Sequence, residues 1–343
     1  MEEAAFYNAI NIVLDGQYKK IARLKEKYGS FEKAYFSGEG EIEKAEVEKE
    51  WEKLKAAGIK LILAEAEEYP KALKEIPWPP MGIYFKGKLP EKNERIIAMV
   101  GTRKATFEGK RFAKETAEKL AKIGIGIISG LAFGIDTESH EGTLRSGGKT
   151  YAVLANGLSS IYPKQNENLA KKILEAGGGL ISEYPMDATP YKDRFIERNR
   201  IVSGIAEGVL IIEAPERSGS LATARFAIEQ NKDVYVAPGP FYHANYKGSA
   251  KLLREGARIV TTAEDLLEDL GITEEEEKEE AAEKNIFSEK QRTIFEALKM
   301  EARPCSIDKI IQISKINPQE LNQELAEMTL IGIIKEEGGL YRL

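Results

Sequence analysis

A short stretch near the middle of the chain, KDRFIERNRIVSG from Lys192 to Gly204, gathers side chains that bind phosphate and nucleobases. Four basic residues and Phe195 fall within the nine positions from Lys192 to Arg200. An arginine fork grips phosphate through two parallel hydrogen bonds, and an aromatic ring offers a face on which any base can stack. This composition favours a site for single-stranded nucleic acid. The alternative is that the arginines pair with nearby glutamates and that Phe195 belongs to the core.

Turns rich in glycine and small hydroxyl residues follow several apolar, strand-like runs. Glycine lets the backbone approach a ligand closely, and the first amides of a following helix point at it. Tight turns also need glycine for conformational reasons, so one such turn alone would indicate little. Together the turns predict an anion-binding edge. They are Gly101-Thr102-Arg103, the run from Ser129 to Asp136, Asn156-Gly157, Ser218-Gly219-Ser220 and Pro238-Gly239-Pro240.

These turns lie at one edge only if the strands are parallel. From Arg95 onward, apolar runs alternate with helical stretches, which is typical of a parallel sheet covered on both faces. We therefore predict an α/β fold with a doubly wound parallel sheet, whose ligands bind outside the carboxyl ends of the strands. The runs are RIIAMV, GIGIIS, TYAVLA, GLISEY, GVLIIEA, DVYVAP and ARIVT.

Composition divides the rest of the chain into further parts. Short amphipathic helices predict a small helical domain at residues 1–63, of the SAM or helix-hairpin-helix kind, before an α/β domain at 64–270. Residues 271–284 are too charged to bury and predict an acidic linker. Residues 285–343 hold three predicted helices and a hairpin, which is the pattern of a winged helix.

The formal net charge of −6 conceals a basic middle. Residues 264–284 carry eleven acids and two lysines, or −9, so the remaining chain sums to +3. Residues 95–263 hold 24 Lys and Arg against 18 Asp and Glu, or +6, which permits a polyanionic partner. No run approaches the roughly 20 apolar residues that span a bilayer, and the acidic start MEEAAFYNAI is unlike a signal peptide. We expect a cytoplasmic protein without membrane contact.

Catalytic, metal and cofactor chemistry find little support in the residues. Asp136 and His140 stand four apart on one predicted helix face, as an acid/base pair would, but Asp136 also sits where a helix cap belongs. With two histidines and one cysteine, neither a zinc site nor an internal disulfide is expected. A dinucleotide fingerprint needs glycine where Arg103 stands and an acid where Ser129 ends the second strand. We expect no cofactor, no metal and no enzymatic activity.

The ordered motifs VGTRKATFEGKRFA, SGLAFGIDTESHEGTLRSGGKTYAVLANGLSSIYP, GGGLISEYP, RFIERNRIVSG, EAPERSGSLATARFA and VAPG resemble the DNA-processing protein A (DprA/Smf) family. The resemblance is close over residues 66–263. It implies an extended Rossmann-like domain that binds single-stranded DNA without cutting it. It also implies homodimerisation through that domain, and loading of the RecA recombinase onto DNA during natural transformation and recombination.

The resemblance also implies which residues bind DNA. Departures from the family pattern are Ile196 in place of a usual proline, Gly248-Ser249-Ala250 in place of a Gly-Thr/Ser-Asn run, and a less typical loop from Asn231 to Gly248. The implied DNA-binding residues are Gly101, Thr102, Arg103, Ser129, Gly130, Gly157, Lys192, Phe195, Arg198, Asn199, Arg200, Ser218, Gly219 and Ser220.

Two other functions are possible for a chain with these elements. Rossmann-like nucleotide 5′-monophosphate phosphoribohydrolases carry a catalytic glutamate three residues after a glycine-rich turn, where this chain has Phe226. A winged-helix reader of duplex DNA needs basic side chains on its recognition helix, but the candidate NPQELNQELAEM has three glutamates and no Lys or Arg. Both patterns argue against these alternatives.

Overall fold

The structure of the protein, a computed structural model, describes residues 2–39, 42, 45–240, 242–272, 288–301, 304–330 and 334–342. The chain divides into two compact units, Met1–Ile272 and Thr273–Leu343. The predicted acidic linker lies outside the described residues except for its first two positions. The finer domain boundaries stay a prediction.

The first unit is built on a nine-stranded sheet in the order β1-β2-β6-β5-β4-β3-β7-β8-β9. Neighbouring strands from β3 to β9 are all parallel, which confirms the predicted α/β fold. The pairing of β1 with β2 and of β2 with β6 is antiparallel and was not predicted. The strands are β1 Lys60–Leu63, β2 Gly82–Gly87, β3 Ile96–Gly101, β4 Gly126–Ser129, β5 Thr150–Val153, β6 Gly179–Ser182, β7 Gly208–Ile212, β8 Asp233–Ala237 and β9 Arg258–Ile259.

Helices cover both faces of this sheet. Alternate residues of β5 show it: Tyr151 and Val153 belong to one buried cluster, whereas Ala152 belongs to the cluster that also contains Ile10 and Leu54 of the N-terminal helices. The helices are α1 Glu3–Val13, α2 Tyr18–Tyr28, α3 Phe31–Phe36, α4 Val47–Ala56, α5 Lys71–Lys74, α6 Phe107–Lys122, α7 Ile135–Arg145, α8 Glu167–Glu175, α9 Lys192–Ile205, α10 Ser220–Glu229, α11 Lys247–Arg254 and α12 Ala263–Asp269.

The strand order creates a switch point between β3 and β7. The chain proceeds from β3 outward through β4, β5 and β6, then returns to the other side of β3 and continues through β7, β8 and β9. At such a point the loops after the two central strands diverge to opposite faces, and the crevice between them is the usual ligand site of an open α/β sheet. The turns that begin at Gly101 and at Glu213 border this crevice.

Helix α9 carries the basic stretch Lys192–Gly204 and runs from the loop after β6 to the start of β7. Its first turn contains Asp193, whose negative charge is favourable near a helix N-terminus. Its last two turns are buried, with Ile201 and Val202 in the core cluster shared with the sheet. The rotation of α9 about its axis is therefore set by apolar packing, and its polar first half extends toward the carboxyl ends of the strands.

The described part of the second unit combines three helices with a small antiparallel sheet in the order β10-β12-β11. Its core contains Ile294, Ile310, Leu321 and Tyr341. The predicted helices and hairpin are present, while the winged-helix assignment stays a prediction. The elements are α13 Glu289–Glu301, β10 Cys305–Ser306, α14 Ile307–Ser314, α15 Pro318–Leu330, β11 Lys335–Glu337 and β12 Leu340–Arg342.

In the part of the chain that the structure describes, no helix combines the length and the apolar character needed to cross a membrane.

Candidate nucleic-acid interface

A cavity of about 300 Å³ opens at the switch point, and we call it the Arg103 pocket. Its wall is contributed by the turns after β3, β4 and β7 and by the first half of α9. The pocket is lined by Val100, Gly101, Thr102, Arg103, Gly130, Ala132, Asp136, Phe195, Ile196, Arg198, Asn199, Pro215, Arg217, Ser218, Gly219, Ser220 and Thr223.

The turn after β3 approaches its neighbours so closely that only glycine fits at its start. A Cβ atom on Gly101 would lie 1.9 Å from the carbonyl oxygen of Ile212. The Thr102 amide then donates to the carbonyl of Glu213 at 2.8 Å, and the Ile135 amide donates to the Thr102 carbonyl at 3.3 Å. These contacts fix the backbone on either side of the next residue, Arg103, whose side chain remains exposed.

Arg103 and Phe195 meet at the mouth of the pocket. The Arg103 guanidinium lies 5.1 Å from the centroid of the Phe195 ring, within the range of a cation–π contact. Tyr162 packs edge-on against the same ring, with 5.5 Å between centroids. Among the described residues, no carboxylate lies within ion-pair distance of Arg103. Its positive charge is therefore available to a ligand.

Arg198 forms the floor of the pocket. Its guanidinium donates to the carbonyl of Gly130 at 2.9 Å and to that of Val153, and it is 4% exposed. A Cβ atom on Gly130 would come within 2.5 Å of Nη2 of Arg198, so glycine is required for this approach. Asn199 links the floor to the turn after β7 by donating to the Gly219 carbonyl at 3.1 Å.

The turn after β7 supplies hydroxyl groups and the start of a helix. The Ser218 and Ser220 hydroxyls are 2.7 Å apart, and the Ser220 amide donates to the Ser218 hydroxyl at 3.3 Å. Helix α10 begins at Ser220, so its partial positive charge adds to the cationic character of the pocket. Neutral donors beside an arginine are suited to phosphate oxygens.

Glu213 anchors the Arg103 turn from below. Its carboxylate accepts hydrogen bonds from the Thr106 amide at 3.0 Å, from the Thr106 hydroxyl, from the Asn245 amide at 2.7 Å and from the Tyr246 hydroxyl at 3.0 Å. Burial would raise the pKa of Glu213, but these hydrogen bonds outweigh it and lower the pKa. The residue also adopts a left-handed φ of 54°, uncommon for a side chain of this size. An ionised Glu213 thus ties three segments together beneath the pocket.

Asp136 and His140 do not form an exposed acid/base pair. Asp136 is the second residue of α7 rather than its cap, and its carboxylate accepts from the Gly130 and Ala132 amides at 3.1 and 3.2 Å. Burial raises the pKa of Asp136, against the opposing effect of Arg198. His140 is fully buried, its Nδ1 lies 2.7 Å from the Thr150 hydroxyl, and burial lowers its pKa to about 3. A neutral, enclosed imidazole cannot exchange protons with a ligand in the pocket.

The structure brings ten of the fourteen expected DNA-binding residues to the pocket wall and places four elsewhere. Ser129 is buried and its hydroxyl donates to the Met99 carbonyl at 2.6 Å, while Gly157 lies against the backbone of Met186. Lys192 is exposed at the first residue of α9, outside the pocket lining. The ten are Gly101, Thr102, Arg103, Gly130, Phe195, Arg198, Asn199, Ser218, Gly219 and Ser220.

Arg200 requires a correction, since direct contact with DNA does not fit its position. Its side chain is 1% exposed and forms a 2.7 Å ion pair with the buried Glu183. It also donates to the Trp78 carbonyl at 3.0 Å and stacks over the Trp78 ring. Arg200 thus joins α9 to the sheet and to the segment before β2, which is a structural role.

Sequence analysis missed Arg217, an exposed cation in the pocket wall that has no ion-pair partner among the described residues. It directly precedes the Ser218 turn, so a basic residue beside a predicted anion-binding turn was the available signal. Ile196 and Thr223 were also missed as lining residues, because neither type by itself indicates ligand binding.

Fold and pocket together define a Rossmann-like protein whose switch-point crevice is suited to an anionic ligand. Residues 60–271 match the family described as DNA recombination-mediator protein A, and the chain belongs to that family. Protein Smf of Escherichia coli (strain K12) is 42% identical over 210 residues, which are 61% of this chain and 56% of that protein. The match thus spans less than two thirds of that relative.

Two solved structures of the same family resemble the fold. DNA processing protein A (DprA) from Streptococcus pneumoniae superposes with a TM-score of 0.61 and 34% identity, over 69% of this chain and 80% of that one. DNA processing protein A from Helicobacter pylori, whose structure concerns its single-stranded DNA binding mode, gives a TM-score of 0.55 and 29% identity, over 62% of this chain and 95% of that one.

Proposed function

We propose that the protein binds single-stranded DNA in the Arg103 pocket and acts as a mediator of DNA recombination. The observation that carries this proposal is the Arg103 guanidinium, which has no ion-pair partner among the described residues and lies on the Phe195 ring at the mouth of a cavity lined by hydroxyl and amide donors. A nucleotide offers a phosphate to the cation and donors, and a base to the aromatic and guanidinium planes. Family membership supports the same ligand.

Single strands suit this pocket better than duplex DNA. Stacking on Phe195 or on the guanidinium plane requires a base whose face is free, and duplex bases are already stacked on their neighbours. Duplex DNA is usually read by a helix or a two-stranded ribbon that enters the major groove, whereas the described residues of the Arg103 pocket line a cavity. Recognition would then be largely independent of sequence, since every base has a face.

The role that we propose is binding rather than catalysis. The acidic and imidazole groups nearest the floor, Asp136 and His140, are engaged in buried hydrogen bonds. In helix α10, the position three residues after Thr223 holds Phe226, so the glutamate of the phosphoribohydrolases is missing there. Incubation with nucleoside monophosphates should release no free base.

The wider role remains part of the proposal. We infer that the protein works in the cytoplasm as a homodimer through its Rossmann-like domain, and that it loads the RecA recombinase onto the bound strand. Family membership supports each of these points. Sedimentation would test the dimer, and a strand-exchange assay with added RecA would test the loading.

Titration of labelled oligonucleotides tests the ligand directly. We expect single-stranded DNA to bind much more tightly than duplex of the same length, with an affinity that falls steeply as salt rises. Equal affinity for both forms, or an affinity indifferent to salt, would contradict the proposal.

A further inference from the structure

An exposed aromatic residue, Tyr242, lies on a loop that adjoins the Arg103 pocket. The loop connects β8 to α11, and we call its described part, residues 238–240 and 242–246, the Tyr242 loop. It is folded, because the His243 amide donates to the Pro240 carbonyl and the Tyr246 amide donates to the His243 carbonyl, both at 3.0 Å. The buried Tyr246 ring also packs against the backbone of Gly239. The loop therefore presents its side chains from a defined position.

Several hydrogen bonds hold this loop beside the pocket. The Asn245 side chain donates to the Lys104 carbonyl at 2.9 Å and to the Glu213 carboxylate at 2.7 Å. Lys104 directly follows Arg103 in the chain. On the other side, the Gly248 amide donates to the Ala214 carbonyl at 2.8 Å, next to the pocket residue Pro215. A strand that leaves the pocket over the Arg103 turn would therefore meet the Tyr242 loop.

Tyr242 itself is 99% exposed. Within the described part of the chain its ring packs against no other aromatic ring, whereas Tyr246 of the same loop is buried and hydrogen-bonded. A single exposed aromatic side chain is common on protein surfaces and proves nothing alone. Here it stands on an anchored loop that borders a proposed DNA site.

The charges around the loop are those that a phosphate backbone requires. Lys104 and Lys247 are both exposed, and neither forms an ion pair with a described carboxylate. Cations interleaved with exposed aromatic rings are the usual composition of a surface that binds single strands without sequence preference. The Glu213 carboxylate faces inward and is occupied by its four donors, so it does not oppose a polyanion here.

We propose that Tyr242 is a second base-stacking position for the single strand that occupies the Arg103 pocket, with Lys104 and Lys247 beside its phosphates. This inference rests on the proposed function, since it extends the same binding site along the strand. The ligand at this position is an unpaired nucleotide of any sequence. The contact is available only to strands long enough to reach from the pocket to the loop.

Oligonucleotide length separates the two positions experimentally. Labelled oligo(dT) of roughly 6 and roughly 16 nucleotides, a range that spans typical single-strand site sizes, would be titrated against the full chain by fluorescence anisotropy. We expect Tyr242→Ala to lower the affinity for the longer oligonucleotide by roughly fivefold or more, which is the lower end of the loss for one base stack. Its affinity for the shorter oligonucleotide should equal that of the parent. Tyr242→Phe retains the ring and should bind both like the parent.

A matched control is Phe36→Ala, which removes another exposed aromatic ring, 68% accessible, from the N-terminal helix α3. It should change neither affinity. Suppose that Tyr242→Ala binds the longer strand like the parent, while Phe195→Ala binds both strands more weakly. That result would overturn the proposed stacking position at Tyr242 and leave the proposal for the Arg103 pocket standing. An equal loss on both lengths would also overturn it. Failure of the parent to bind either oligonucleotide would instead reject the proposed function, and this inference with it.

Discussion

The guanidinium of Arg103 lies 5.1 Å from the centre of the Phe195 ring, although three strands of the sheet, β4, β5 and β6, come between these residues along the chain. Pairing of this kind contributes about 0.5–1 kcal/mol at an exposed site. It also presents a planar cation and an aromatic ring side by side at the mouth of one cavity. The two groups together can serve the phosphate and the base of the same nucleotide.

Loss of the Phe195 ring should weaken binding of single-stranded DNA by about 1–3 kcal/mol, the value of one base stack. Phe195→Ala removes both the stacking face and the platform that orients the Arg103 guanidinium. Phe195→Tyr keeps the ring and should retain most of the affinity. Anisotropy titrations of the three proteins at one salt concentration measure the difference. Unchanged binding by a folded Phe195→Ala protein would mean that the pocket does not hold a base.

Loss of the Arg103 charge should alter the salt dependence as well as the affinity. One phosphate contact to a single strand contributes about 0.7 to the slope of log affinity against log salt, so Arg103→Ala should lower the slope by about that amount. Arg111→Ala is the matched control, because Arg111 is exposed but its guanidinium lies near Glu108 and Glu115. Titrations at several salt concentrations give both slopes. An unchanged slope for Arg103→Ala would show that this guanidinium does not contact phosphate.

Glu213 should act on DNA binding through Arg103. Glu213→Gln keeps the size of the side chain but places an NH2 donor where a carboxylate oxygen accepted hydrogen bonds from the Thr106 backbone amide and the Asn245 side chain, so the Arg103 turn should lose its fixed position. We expect Glu213→Gln to bind single-stranded DNA more weakly than the parent and to show the same lowered salt slope as Arg103→Ala. The double variant Arg103→Ala/Glu213→Gln should bind no more weakly than Arg103→Ala alone. Additive losses would assign Glu213 only a general structural role.

Arg200 should contribute to stability instead of DNA affinity. Arg200→Met leaves the Glu183 carboxylate buried without its partner, and breaking a buried pair in this way costs about 3–5 kcal/mol. The double variant Arg200→Met/Glu183→Gln removes the stranded charge and should recover part of that loss. Urea denaturation measures the free energy of unfolding, and the salt slope of DNA binding should remain that of the parent. A lowered salt slope for Arg200→Met would indicate that Arg200 contacts DNA phosphate after all.

The buried His140 should make the free energy of unfolding depend on pH in the acid range. Burial, and then the positive charge of Arg198, lowers its pKa to about 3 in the folded protein, against about 6.5 in an unfolded chain. Between these values the unfolded state binds a proton that the folded state does not. Stability should therefore fall as pH drops from about 6.5 toward 3, by at most about 1.4 kcal/mol per pH unit, with no effect above that window.

His140→Asn provides the comparison for this pH effect. The Thr150 hydroxyl donates to the Ile127 carbonyl at 2.7 Å, so it accepts from Nδ1 of His140, and an asparagine amide can supply a similar donor. The difference in unfolding free energy between parent and variant isolates the imidazole from Asp136, whose titration acts with the opposite sign because burial raises its pKa. A difference that is constant from pH 7 to pH 4 would contradict the prediction.

Local sequence was sufficient for most of the fold. Buried parallel strands are nearly continuous apolar runs, and each of the seven predicted runs overlaps an observed strand of the sheet. Because carboxyl ends of parallel strands share one edge, the predicted turns at Gly101 and Ser218 were expected to meet, and both line the pocket. The antiparallel strands β1 and β2 escaped this reasoning, since β2 joins the sheet by pairing with β6, which lies much further along the chain.

Three arginines of α9 mark the limit of what the sequence by itself determined. Sequence showed that the stretch is basic and placed Phe195, Arg198 and Asn199 among the expected DNA-binding residues. Tertiary structure decided that Arg198 enters the floor of the pocket, that Arg194 bonds to Asp15 and that Arg200 meets Glu183. The reason is physical. Apolar contacts of the second half of α9 fix its rotation on the sheet, and the acids that receive Arg194 and Arg200 come from segments distant in the chain, which no local pattern reveals.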